Sequence, residues 1–153
     1  MTTLKETLRS DLTEAIRGRD EITVATLRMA LAAITTEEVS GSAARALSDA
    51  EVLTVLTREA KKRREASTAF TDGGRPELAE REDAELAVLG RYLPTPLTDD
   101  EVGVMVADTV ARLAADGITG RSAMGSAMKE LTARTQGRFD GARLAALVRS
   151  ALE

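Results

Sequence analysis

An all-α fold is predicted by three observations. Three capping boxes, Thr3-x-x-Glu6, Ser48-x-x-Glu51 and Thr98-x-x-Glu101, each open an apolar run of helical period. Alternation of apolar and polar residues over the length of a strand is absent. Aromatic residues make up only 2% of the 153-residue chain: Phe70, Tyr92 and Phe139. A core built from Ala, Leu, Val and Met suits closely packed helices better than a β-sandwich.

Seven helices follow in order, with ends good to roughly three residues. The first is expected over roughly 3–17, where Leu4, Leu8, Leu12 and Ile16 share one face. The second, roughly 20–39, starts from Asp20 as N-cap and stops before Gly41. The third, roughly 48–71, opens at Ser48 and ends at Gly73-Gly74. The fourth, roughly 76–92, begins at Pro76, whose missing N–H costs nothing in a first turn. The fifth, roughly 98–115, is closed by Gly117, and the sixth, roughly 122–135, by Gly137. The seventh, roughly 140–152, is capped by Asp140 and carries Leu144, Leu147, Val148 and Ala151 on one face.

Tyr92-Leu93-Pro94-Thr95-Pro96-Leu97 holds two of the three prolines, and neither fits inside a helix without losing a backbone bond. Residues 94–97 are therefore the expected linker. They divide an N-terminal bundle of four helices, residues 1–93, from a small C-terminal three-helix domain, residues 98–153. That second part, roughly 55 residues, is near the lower limit for folding alone.

The chain has no His, Cys or Trp, so the usual general base, the thiol nucleophile and the soft metal ligands are missing. No catalytic residue, metal site or cofactor is expected. Without Cys there is no disulfide scaffold. The N-terminus leads directly into an amphipathic pattern with no apolar signal region, and no stretch reaches the ~18 apolar residues that span a bilayer. A cytoplasmic protein with no membrane partner is the expectation. Net charge is −4, so affinity for a polyanion would have to come from a local patch.

The chemistry that remains is charge. Arg58-Glu-Ala-Lys61-Lys62-Arg63-Arg64 packs five cations into seven residues. At about 100° per residue, Val55, Leu56, Glu59, Arg63, Ala66 and Phe70 fall within about 60° of Val52, on the apolar stripe. Arg58, Lys61 and Lys62 fall on the opposite side and Arg64 on a flank. The fourth helix places Glu82 and Glu85 on its apolar stripe, and Arg28 lies about 40° from the stripe of the second. Arg28, Glu59, Arg63, Glu82 and Glu85 could converge as a structural ion network that fixes helix register. The same set could serve as a paired-carboxylate acid/base site; a carboxylate metal cage of the di-iron kind would need His.

The outward set of Arg58, Lys61, Lys62 and Arg64 is a candidate polyanion surface, with a solvated helix face as its plain alternative. A second set lies between Gly120 and Arg149, where Arg121, Lys129, Arg134, Arg138, Arg143 and Arg149 face only Glu130 and Asp140. Cations of this kind neutralise phosphates without reading sequence. So few aromatics argue against base stacking on single strands. Met124 and Met128 are expected in the core, Gly125 could admit a close helix, and Gly137 to Gly141 reads as a turn with an Asp140 cap.

Several motifs occur in a characteristic order. They are Thr26-Leu27-Arg28-Met29 with Leu31-Ala32-Ala33-Ile34; Glu51-Val52-Leu53 leading to Lys61-Lys62-Arg63-Arg64-Glu65 and Phe70; Ala84-Glu85-Leu86 before Tyr92-Leu93-Pro94; and Met124-Gly125-x-x-Met128 before Gly137-Arg138-x-Asp140-Gly141. In this order they resemble the YqeY family, related to the C-terminal tail of GatB, a subunit of the glutamine-dependent tRNA amidotransferase. The resemblance implies two small helical domains and an accessory role with tRNA as partner. It also implies a link to carbon–nitrogen ligation with glutamine as amide donor, chemistry the chain is not expected to perform alone. An adaptor for an amidotransferase or an aminoacyl-tRNA synthetase is the alternative, and a small hydrolase using buried carboxylates a more distant one.

Overall fold

The computed structural model describes residues 1–153 and is entirely helical, without strands. The helices are α1 (Leu4–Arg17), α2 (Glu21–Glu38), α3 (Asp49–Asp72), α4 (Pro76–Gly90), α5 (Asp99–Ala115), α6 (Ala123–Thr135) and α7 (Gly141–Leu152). A short 3-10 turn, Gly120–Ser122, leads into α6.

Local chemistry sets most of the starts. At all three capping boxes the hydroxyl accepts from the N3 amide and the N3 glutamate accepts from the cap amide, at 2.8–3.2 Å. Asp20 and Asp140 cap α2 and α7 through the Thr23 and Arg143 amides. Pro76 occupies the first turn of α4. The turn after α6 uses left-handed backbone at Gln136 and Gly137, φ 50° and 75°.

The chain divides into two compact units, Met1–Leu93 and Pro94–Glu153. The first holds α1 to α4 around Leu8, Leu27, Ile34, Val52, Leu56 and Leu89. The second holds α5 to α7 around Val102, Val106, Ala127, Leu131, Leu144 and Val148. Residues 94–97 lie at the start of the second unit. There the Leu97 amide donates to the Arg138 carbonyl and Arg138 Nε donates to the Thr95 carbonyl, both at 2.8 Å.

Three positions expected on apolar faces are exposed instead: Ile16 at 49%, toward the end of α1, and in α7 Leu147 at 37% and Ala151, where only Leu144 and Val148 are buried. Met124 and Met128 pack against the second core, Leu131 lies inside it, and a Cβ on Gly125 would meet nothing within 4 Å. No helix is long and apolar enough to cross a membrane.

Candidate functional site

The face angles of α3 translate into burial. Arg63 is 5% exposed, while Arg58, Lys61, Lys62 and Arg64 are at the surface. Arg63 Nη1 donates to Glu59 Oε2 at 2.9 Å and to the Glu59 carbonyl at 3.1 Å. From α4, the buried carboxylate of Glu85 comes to 3.6 Å from Arg63 Nε. That distance allows charge pairing and is too long for a hydrogen bond. Arg63 Nε is indeed the one buried side-chain nitrogen or oxygen without a hydrogen-bond partner. The cause is a divided carboxylate, since the other oxygen of Glu85 accepts from Arg81 Nε at 3.2 Å.

The buried network thus contains Glu59, Arg63 and Glu85 of the five expected residues, and Arg81 joins it. Arg28 and Glu82 make no ion pair with these groups. Arg28 is exposed; its neighbour Met29, itself 44% exposed, places Sδ 3.8 Å from Arg63 Nη2. A few tens of degrees on α2 decide which of the two meets α3. Arg81 was legible as the residue four before Glu85, a spacing that puts both on one helical face.

The outward cations of α3 are mostly paired with surface acids. Arg58 lies 3.3 Å from Glu37, Lys61 3.9 Å from Glu65 and Lys62 3.4 Å from Glu59, whereas Arg64 is in none of the ion pairs. In the second unit, Arg134 lies 3.5 Å from Asp108 and donates to Thr109 Oγ1 at 3.1 Å. Arg143 pairs with Asp99 and stacks over Phe139, 4.9 Å from the ring centroid. Arg138 is half-buried and tied to the Thr95 carbonyl. Arg121, Lys129 and Arg149 are exposed, and the ion pairs of the second unit are made by Arg112, Arg134 and Arg143.

One polar contact has no local sequence signal. The Tyr92 hydroxyl donates to Asp11 Oδ2 at 2.6 Å across 81 positions. Burial, then that bond and the Asp11 charge, push the phenol above its ordinary range. Nearby, the Thr23 hydroxyl and then the Thr23 amide hold the Asp20 carboxyl below the usual carboxylate value. No group of three or more His, Cys, Asp or Glu side chains is placed to hold a metal.

Known proteins can be set beside this geometry. The family described as Yqey-like protein matches residues 5–152, nearly the whole chain. An uncharacterized protein of Schizosaccharomyces pombe is 31% identical over 91 residues, which cover 60% of this chain and 72% of that protein.

Proposed function

This chain belongs to the Yqey-like protein family, and from that premise we propose that it is a tRNA-associated accessory protein of the cytoplasm. Its two helical units act as separate domains, residues 1–93 and 98–153, joined at 94–97. Arg58, Lys61, Lys62 and Arg64 on α3, and Arg121, Lys129, Arg134, Arg138, Arg143 and Arg149 in the second unit, contact RNA phosphates. The chain contributes binding to amidotransferase-type chemistry and no catalytic group of its own.

One observation carries this reading. None of the ten cations is buried, and the one cation of the α3 run that is buried, Arg63, is spoken for by Glu59 and Glu85. Apart from Lys62, whose partner Glu59 is held by Arg63, the outward cations make solvent-exposed pairs, where an ion pair is worth at most about 1 kcal/mol, so a phosphate can displace the acid partner. Helices without exposed aromatic platforms suit a reader of folded RNA shape over a binder of single strands.

Titration of the full chain with total tRNA at two salt concentrations tests it. About four phosphate contacts should give a log–log slope on the order of −3. Joint reversal of Lys61, Lys62 and Arg64 to Glu should abolish binding and leave the helical content unchanged. Absence of binding at low salt removes the reading. An affinity indifferent to salt would move the surface to a protein partner, such as an amidotransferase or an aminoacyl-tRNA synthetase.

A further inference from the structure

Three arginines outside the RNA assignment meet in the first unit. Arg19 from the α1–α2 turn, Arg28 from α2 and Arg81 from α4 line one open cleft of about 540 Å³. Ile16, Val24 and Ala25 supply its apolar part, and Glu21 is its single acid. Ile16 is the residue of the α1 apolar face that the core leaves 49% exposed. Arg19 and Arg28 are not among the arginines that form ion pairs. Arg81 meets Glu85 through Nε, so its two Nη nitrogens stay available as donors.

Glu85 offsets Arg81, but Arg19 and Arg28 have only Glu21 as an acid in the cleft lining, so the cleft keeps an excess of positive charge that is unfavourable while no anion is bound, because like charges repel. An anion with several oxygens and more than one charge reverses that. A phosphate meets the condition better than a carboxylate, since it carries up to two charges on three terminal oxygens and can therefore accept from several guanidiniums at once. The exposed Ile16 and the half-buried Val24 then suit an uncharged flat group attached to the phosphate.

The turn that delivers Arg19 closes α1: the Arg19 amide donates to the Ile16 carbonyl at 3.2 Å and the Asp20 amide to the Ala15 carbonyl at 3.0 Å. Its backbone is left-handed, φ 56°, where glycine is cheapest, yet the glycine of this turn is the preceding Gly18, at φ −80°. The strained position is occupied by a cation that faces the cleft. Arg81 is steadied from below, because Glu85 is itself held against buried Arg63.

We infer that this cleft is a phosphate-ester site: Arg19, Arg28 and Arg81 hold the phosphate, and Ile16 and Val24 carry the uncharged part of a nucleotide. None of these residues belongs to the proposed RNA surface, and the inference does not rest on it.

Calorimetric titration of the full chain with AMP, inorganic pyrophosphate and adenosine at low salt tests the site. AMP and pyrophosphate should bind, with adenosine about tenfold or more weaker for want of the anion. Arg28→Gln and Arg19→Gly should each weaken AMP about tenfold. Arg19→Gly also relaxes the left-handed turn, so its Tm should hold or rise, which separates lost binding from lost fold. No binding of AMP or pyrophosphate, adenosine binding as tightly as AMP, or AMP affinity unchanged in both variants would each overturn the inference. A tRNA competition arm identifies the source of the phosphate. Displacement of AMP by tRNA that depends on Arg19 and Arg28 assigns the site to an RNA strand, and independent binding assigns it to a free nucleotide. Should tRNA not bind at all, the RNA reading falls while AMP binding still upholds the cleft.

Discussion

In the first unit a guanidinium and a carboxylate lie among the helices, Arg63 at 5% and Glu85 at 7% exposure, whereas the buried polar residues of the second unit are the uncharged Thr109 and Thr135. The second unit keeps its ion pairs at the surface, between Arg112 and Glu130, Arg134 and Asp108, and Arg143 and Asp99. Taking a charge out of water costs several kcal/mol per ion, on the order of the whole stability of a small domain. A unit the size of the second has little margin for that cost. The first, with the 24-residue α3 laid along α4, surrounds Arg63 with two carboxylates. Similar pairs on paper therefore carry different energetic weight, and burial decides which ones matter.

The largest expected effect breaks the interior pair. Arg63→Ala leaves Glu85 buried beside a partner it shares with solvent and should cost about 3–5 kcal/mol. Chemical denaturation followed by helicity would read the loss. A triple variant, Arg63→Met with Glu59→Gln and Glu85→Met, removes the charges together and should recover most of it, since an apolar replacement of a buried ion group is often neutral. If Arg63→Ala unfolds at the parent denaturant midpoint, the interior charge has no structural weight and the contrast between the units disappears.

How far the sequence made this legible follows the range of each interaction. Capping is local, and Thr3, Ser48 and Thr98 all stand where their spacing to a glutamate three residues on puts them. Helical period is nearly as local, which is why the inward turn of Arg63 and the outward turn of Lys61 and Lys62 could be read from angles along one helix. Contacts between helices need the packing. The choice of Met29 over Arg28 depends on how α2 rotates against α3. The Lys5–Glu38 pair, 2.6 Å apart, and the Tyr92–Asp11 bond connect residues far apart in the chain. Ile16 shows a further limit, because a periodic pattern says which face is apolar but not where the neighbouring helix ends. The cleft formed by Arg19, Arg28 and Arg81 joins a turn and two helices, so no spacing announces it.

An intermediate effect belongs to Tyr92, whose bond to Asp11 is charge-assisted yet only partly buried. Tyr92→Phe should cost about 1 kcal/mol. It should also change the alkaline limb. The folded phenol is raised above its unfolded value, so its contribution is complete below the unfolded pKa of about 10 and is lost as pH rises toward the folded one. Stability of the parent should therefore fall over that alkaline interval, and Tyr92→Phe should flatten the fall. With one Tyr and no Trp in the chain, tyrosinate absorbance follows this group alone. A phenol titrating at the ordinary value in the folded protein would mean that the Asp11 bond does not hold the proton.

The smallest effect tests the other half of the comparison. Arg143 pairs with Asp99 and lies over Phe139, but its side chain is 59% exposed. Arg143→Ala should cost at most about 1 kcal/mol, because water already competes for both partners and ordering a long side chain offsets part of the gain. Raising the salt concentration should shrink that cost further, since exposed pairs are screened and buried ones are not. Arg143→Lys keeps the charge and loses the planar fork, so its difference from the parent reads what the guanidinium plane adds at Asp99 and the Phe139 ring, and its difference from Arg143→Ala reads the charge and stem. The same position is proposed to contact RNA, which makes its two readouts separable. Removing a phosphate contact should lower the salt slope of tRNA binding by about one while the fold stays nearly as stable. If Arg143→Ala instead destabilised the protein as much as Arg63→Ala, exposure would not be what distinguishes the two units. The surface cations of the second would then be structural and not free to meet a polyanion.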